Sequence, residues 1–262
     1  MKIVALIKTF SGHEFATSSL DSIYDFCEKI IYVHSNKSWS GKEGNTVYSI
    51  VENWKKEYDK KDKIINLYGD WTNQDSQYDY GFQFIKKNLE SDFIMLVDTD
   101  EIWDKQNLDL SRMYLTNHKN INAFSCNMHT YIKNPLWKVQ PCEPCKPIIF
   151  IRNSVNNMLG VRGNGINPKL YMNNVYMHHF CYVRETENEI KDKFINSEIG
   201  DKNVSNDYND WKINKWDKLP NVFDFHPTKG AETCWHSIKI INKNELPITV
   251  QNNKILEKWS IK

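Results

Sequence analysis

The chain has 262 residues, 40% hydrophobic and 13% aromatic, with 34 basic and 33 acidic residues and a formal net charge of +1. That size allows one large domain with a sizeable core, and the charge balance argues against non-specific polyanion binding as the main task. No apolar run approaches the ~20 residues of a membrane span. Met1-Lys2-Ile3-Val4-Ala5-Leu6-Ile7 is too short for the apolar core of a secretory leader. A soluble cytoplasmic protein is expected, with Cys27, Cys126, Cys142, Cys145, Cys181 and Cys234 reduced.

The first hundred residues alternate strand and helix. Residues 2–10 form a buried strand. Leu20, Ile23, Tyr24 and Cys27 recur at helical spacing, and residues 30–34 form a second strand. Val47, Ile50, Val51, Trp54 and Tyr58 mark a second helix, residues 63–67 a third strand, and Tyr78, Phe82, Ile85 and Leu89 a third helix. Strands alternating with helices imply a mainly parallel central sheet flanked by helices, with right-handed crossovers. There is no Gly-x-Gly-x-x-Gly, so a hydride-transfer dinucleotide fold has little support.

The run Phe93-Ile94-Met95-Leu96-Val97 then ends in Asp98-Thr99-Asp100-Glu101. Apolar runs of this kind fill the interior of parallel sheets, and the carboxyl ends of such strands are where open α/β sheets hold ligands. Two aspartates one residue apart can approach a hard divalent cation through oxygen, and such a cation would neutralise a nucleotide diphosphate. A solvated acidic turn after a core strand is the bland alternative.

From about residue 107 the pattern becomes irregular. Strand-like segments at 122–131, 147–152 and 169–177 alternate with Pro/Gly/Asn loops, and a helix is expected over 187–197 with Ile190, Phe194 and Ile195 inward. The polar stretch 200–220 carries Trp211 and Trp216, which suits either a closing lid or a surface loop anchored in the core. Cys142-Glu143-Pro144-Cys145 has zinc-ligand spacing, with Cys126 and His129 near in sequence, but no second CxxC follows, and a proline-braced turn between strands accounts for it better.

Thr9 and Glu14 after the first strand, Tyr68-Gly69-Asp70-Trp71-Thr72-Asn73, and Leu96-Val97-Asp98-Thr99-Asp100-Glu101 together resemble the GT-A glycosyltransferases, in particular the family 2-like group. Met177-His178-His179-Phe180-Cys181-Tyr182-Val183-Arg184 resembles a later stretch of such enzymes. The resemblance covers roughly residues 1–195. It implies a GT-A fold in one catalytic domain, with residues 1–106 binding the nucleotide sugar and 107–262 forming the acceptor side. It also implies an enzyme that moves a sugar from a nucleotide-sugar donor, a UDP-sugar first, to a hydroxyl acceptor, with inversion. Mn2+ or Mg2+ would be the cofactor, because a cation stabilises the leaving diphosphate without proton transfer.

Carried over residue by residue, Asp100 is a metal ligand and Asp98 a ribose or sugar contact. His179 completes the metal site, and neighbouring His178 points to the opposite face of its strand. An imidazole with a carboxylate suits Mn2+. Arg184 is a candidate phosphate clamp. Nucleotide contacts are expected from Thr9, Glu14, Ser35, Asp70, Trp71 and Gln77, with helix capping by Thr72 or Asn73 as an alternative for that segment. The family commonly ends strand two in Asp, whereas His34-Ser35-Asn36 stands here. Glu101, Glu143 and Glu185 are candidate bases by location. The acceptor is open: a glycan, a protein side chain, a small metabolite or a modified nucleic acid base. The competing readings are a nucleotidyltransferase, whose expected basic Gly-rich loop is absent at Thr9-Phe10-Ser11-Gly12-His13, and a non-catalytic nucleotide- or sugar-binding module, against which the two aspartates argue.

Overall fold

The structure is a computed structural model that describes residues 1–10, 12–38, 41, 43, 47–158, 160–196, 208–228 and 230–259. Two compact units share the chain. The first comprises 1–127 and 146–177, the second 128–145 and 178–262.

The first unit is an α/β sandwich. Strands β1 (Ile3–Thr9), β2 (Lys29–Ser35), β3 (Ile64–Gly69) and β4 (Phe93–Asp98) pair in parallel in the order β3-β2-β1-β4. Helices α1 (Ala16–Ile23), α2 (Tyr48–Tyr58) and α3 (Gln74–Asn88) make the crossovers. Antiparallel β8 (Ile148–Arg152) extends the sheet beyond β4, and the first residues of β6 (Ala123–Ile132) pair with β8. The sheet is therefore mostly parallel and flanked by helices, as the alternation of patterns predicts.

Burial explains the strand sequences. Every residue of β4 from Phe93 to Val97 is buried, so the strand carries no polar face. Helix α3 lies very close to the sheet. A Cβ at Gly81 would meet Val33 Cγ2 at 2.7 Å and clash with Leu6 Cδ1, so this position requires glycine. Tyr78, Phe82 and Ile85 from the same helix complete the core with Leu6, Val33, Ile94 and Leu96. Asn73 caps α3, its side chain accepting from the Ser76 amide at 2.8 Å, which realises the capping alternative. Helix α4 (Lys105–Asn117) follows the acidic turn and was not read from the sequence.

In the second unit, β7 (Trp137–Gln140) pairs antiparallel with β10 (Ser237–Ile240) and with the end of β6. Its core gathers Tyr182, Ile190, Phe194, Tyr208, Trp211, Trp216, Phe225 and Trp235. Trp211 and Trp216 are thus core residues rather than lid residues. The Trp211 indole donates to the Phe225 carbonyl at 2.9 Å, and its ring packs on Phe194 and Tyr208. Of the two readings of this polar stretch, anchoring in the core is the one that holds for both tryptophans. Helix α5 (Glu187–Asn196) buries Ile190 and Phe194 as expected. Ser197, the Ile195 side chain and the 200–207 part of the proposed lid lie outside the described residues.

Candidate active site at the carboxyl ends of β1 and β4

The strand order places a reversal between β1 and β4. Successive crossovers run from β1 outward to β3, and the chain then returns to the other side of β1. Ligands of open α/β sheets bind in the crevice at such a switch, outside the carboxyl ends of the strands. In register, Lys8 of β1 stands opposite Asp98 of β4.

Asp98 is held from three sides. Its Oδ1 accepts from the Tyr78 hydroxyl at 2.5 Å and faces Lys8 Nζ at 3.2 Å, and its Oδ2 accepts from Arg162 Nη1 at 3.4 Å. Burial alone would raise this carboxyl; Lys8, Arg162 and the tyrosine bond overcome burial and bring it down to about 2. The Tyr78 hydroxyl moves the other way, pushed up by burial and by the adjacent carboxylate.

Glu101 is 1% exposed, and both its oxygens accept from Arg162, Oε1 from Nη1 and Oε2 from Nη2 at 3.0 Å. Oε2 also accepts the Asp98 backbone N–H at 3.0 Å. One carboxylate therefore closes the turn Asp98-Thr99-Asp100-Glu101. Arg162 completes the set through a bond from Nη2 to the Leu96 carbonyl at 3.2 Å. Asp100 sits within this turn and is buried.

Arg162 escaped sequence reasoning. It lies 61 residues beyond Glu101 in a Gly/Asn-rich loop. Its backbone is left-handed at φ 50°, between Gly160 at 71° and Gly163 at 75°. A non-glycine residue there costs roughly 1–2 kcal/mol. A Cβ on Gly163 would meet Ile166 Cδ1 at 2.8 Å and Ile151 Cδ1 at 2.9 Å, so the loop is pressed onto the core. The only signal in the sequence is an arginine among glycines in Gly160-Val161-Arg162-Gly163-Asn164-Gly165.

The other predicted nucleotide residues fall around the same strand ends. Thr9 ends β1, and its buried hydroxyl has no hydrogen-bond partner among the described residues. Gln77 is buried and its amide donates to the Val33 carbonyl at 2.8 Å and the Thr9 carbonyl at 3.3 Å, tying β1 to β2. Glu14 is buried in a short 3-10 turn after β1, and Ser35 is buried at the end of β2. Asp70 is exposed after β3, and half-buried Trp71 packs against the core and covers Gly69. At the position where the family commonly has Asp, His34 stacks between Tyr32 and Tyr68 and bonds Asn66 through Nε2 at 3.0 Å.

Strand β9 (Lys169–Tyr182) carries the two histidines towards its end, in the part that belongs to the second unit. His178 is buried, with Nδ1 2.8 Å from the Tyr131 hydroxyl; half-buried His179 lies on the alternate face. Arg184 is buried and donates from Nη1 to the Phe180 and Val183 carbonyls, both at 3.1 Å. Glu143 is a buried acceptor for Thr130 Oγ1 at 2.6 Å and Trp235 Nε1 at 2.7 Å, and Glu185 pairs with Lys258 at 2.6 Å. Among the described residues, Cys142 and Cys145 join no cluster with metal-ligand geometry, and all six cysteines are free thiols. No described helix is long and apolar enough to cross a membrane.

No protein-family model matches the chain, and no curated protein matches it in sequence. Among solved structures it is similar to the mannosyltransferase PcManGT from Pyrobaculum calidifontis in complex with GDP-Man and Mn2+, at 10% identity and a TM-score of 0.51, over 70% of this chain and 58% of that one. The chain thus spans less than two thirds of that protein's length. S. aureus TarS 1-349 in complex with UDP-GlcNAc is similar at 13% identity and a TM-score of 0.46, over 97% of this chain and 82% of that one. The fold is of the GT-A glycosyltransferase type, in agreement with the mannosyltransferase likeness and with the parallel core described above.

Proposed function

We propose that this protein is a metal-dependent glycosyltransferase that takes a nucleotide-sugar donor at the carboxyl ends of β1, β2 and β4. The observation that carries the reading is the acidic turn 98–101 at the β1/β4 switch of a GT-A fold. Support comes also from the orphaned hydroxyl of Thr9 at the same sheet edge, a polar atom that a ligand could satisfy.

The donor set fits a hard divalent cation. Asp100 is the proposed carboxylate ligand and His179 the further ligand, both as the family resemblance implies, while Asp98 is bonded to Tyr78, Lys8 and Arg162. Mg2+ and Mn2+ sites commonly combine one or two protein carboxylates with substrate phosphate oxygens. When bound, the cation would stabilise the negative charge of the departing diphosphate. Lys8 and Arg162 hold Asp98 ionised and in place, and Tyr78 orients it. Thr9, Glu14, Ser35, Asp70, Trp71 and Gln77 are the proposed lining of the nucleotide site, Gln77 by tying the strand ends together.

Residues 107–262 are proposed to supply the acceptor side, with Arg184 the proposed clamp on a donor phosphate. Inversion would need a carboxylate base. Glu101, Glu143 and Glu185 are the bases to test: Glu101 accepts from Arg162 by both oxygens, Glu143 accepts from Thr130 and Trp235, and Glu185 pairs with Lys258. The donor is proposed to be a UDP-sugar and the setting cytoplasmic. Incubation with a panel of nucleotide sugars, followed by product analysis, tests the reading. Donor hydrolysis or transfer should vanish in chelator and return with Mn2+; full activity in excess chelator would sink it.

A further inference from the structure

We propose that Arg162 is the positioning residue of the acidic turn, setting from a distant loop the direction in which Asp100 is presented. The inference rests on the glycosyltransferase reading for its consequence in binding, and on geometry alone for the clamp itself.

Three features point to it. The guanidinium makes four bonds to one short segment: two to Glu101, one to Asp98 and one to the Leu96 carbonyl. These partners bracket Thr99 and Asp100 on both sides. Glu101 in turn bonds the Asp98 amide, so the arginine holds the group that closes the turn. Finally, the residue occupies a left-handed backbone position between two glycines that share that conformation. Glycine would fit there without strain, so a long cationic side chain at this place indicates a demand on the side chain rather than on the backbone. Groups behind a metal ligand orient it, and losing one typically lowers metal affinity about 10–100-fold.

The test uses the full chain and two variants. Arg162→Lys keeps the charge but loses the planar fork. The paired change Arg162→Met with Glu101→Met removes the clamp without stranding a buried charge between the two, a replacement that folds commonly tolerate. Hydrogen exchange and Mn2+ binding in the presence of UDP are measured on both. In Arg162→Lys the amides of residues 98–101 should exchange at least about tenfold faster while β1–β3 keep their protection. Mn2+ affinity should fall about tenfold or more in both variants. Unchanged exchange at the turn overturns the clamp. Affinity within about twofold of the parent in the paired variant overturns its consequence for Asp100. If the parent itself binds no Mn2+ with UDP, the glycosyltransferase reading fails, and the exchange result still decides the clamp.

Discussion

Asp98→Asn isolates the electrostatics of the site. The substitution keeps size and an acceptor for Tyr78 but removes the charge that Lys8 and Arg162 face at 3.2 and 3.4 Å. Breaking a buried ion pair by removing one partner costs about 3–5 kcal/mol. Here the Asp98 side chain is 19% exposed, and Arg162 retains Glu101, so the loss is smaller. A destabilisation of about 2–3 kcal/mol is expected. Thermal unfolding of the parent, Asp98→Asn, Tyr78→Phe and the double variant forms a cycle that isolates the coupling. A hydrogen bond to a charged group is worth about 1.5–3 kcal/mol, so coupling near the lower end is expected for Tyr78 and Asp98. The acid limb carries a second signature. Asp98 has a depressed carboxyl, so its stabilisation is present above the unfolded value of about 3.9 and disappears as pH falls through about 2. Asp98→Asn should lose that component. An Asp98→Asn protein as stable as the parent at neutral pH, with no coupling to Tyr78, would refute the charge network as described.

Asp100→Ala should lower activity roughly a thousandfold with the fold intact, as expected for loss of a ligand to a charge-stabilising metal. Asp104→Ala and Asp109→Ala should do far less, since Asp104 precedes α4 and Asp109 pairs on its exposed face with Lys105 at 2.9 Å; steady-state rates on the three variants check the ranking. His226 is lowered to about 4, chiefly by burial, so it stays neutral in the folded second unit while the unfolded chain binds a proton below about 6.5. Stability should therefore fall as pH drops from about 6.5 towards 4, and urea unfolding of His226→Phe should lack that component. Trp211→Ala should cost about 3–5 kcal/mol of stability, as for a buried tryptophan, and unfolding that precedes any selective effect on acceptor use would confirm its place in the core.

The parallel half of the fold was legible because its physics is local. Strands buried on both faces read as unbroken apolar runs such as 93–97, and the crossover helices repeat apolar residues at helical spacing, so four strands and three helices emerge in order. Helix α4 was not read because its buried face is Leu108, Ser111 and Leu115, too sparse a stripe to stand out. The Asp98–Asp100 turn was visible as acid ending an apolar run. Its support was not: Arg162 meets Glu101 through tertiary structure alone, from a loop whose composition suggests only a turn. Trp211 and Trp216 left the lid and the core-anchored loop equally open for a related reason, because burial of aromatic rings under polar neighbours depends on residues such as Phe194 and Phe225 that lie elsewhere in the sequence.

Titration calorimetry of UDP and GDP into the parent and Asp100→Ala, each with Mn2+ and with excess chelator, tests the central claim most directly. The expected result is nucleotide binding by the parent with Mn2+ that weakens by more than about tenfold on chelation or in Asp100→Ala. Equal binding by both proteins, with and without the cation, would contradict a metal-dependent nucleotide site built on Asp100.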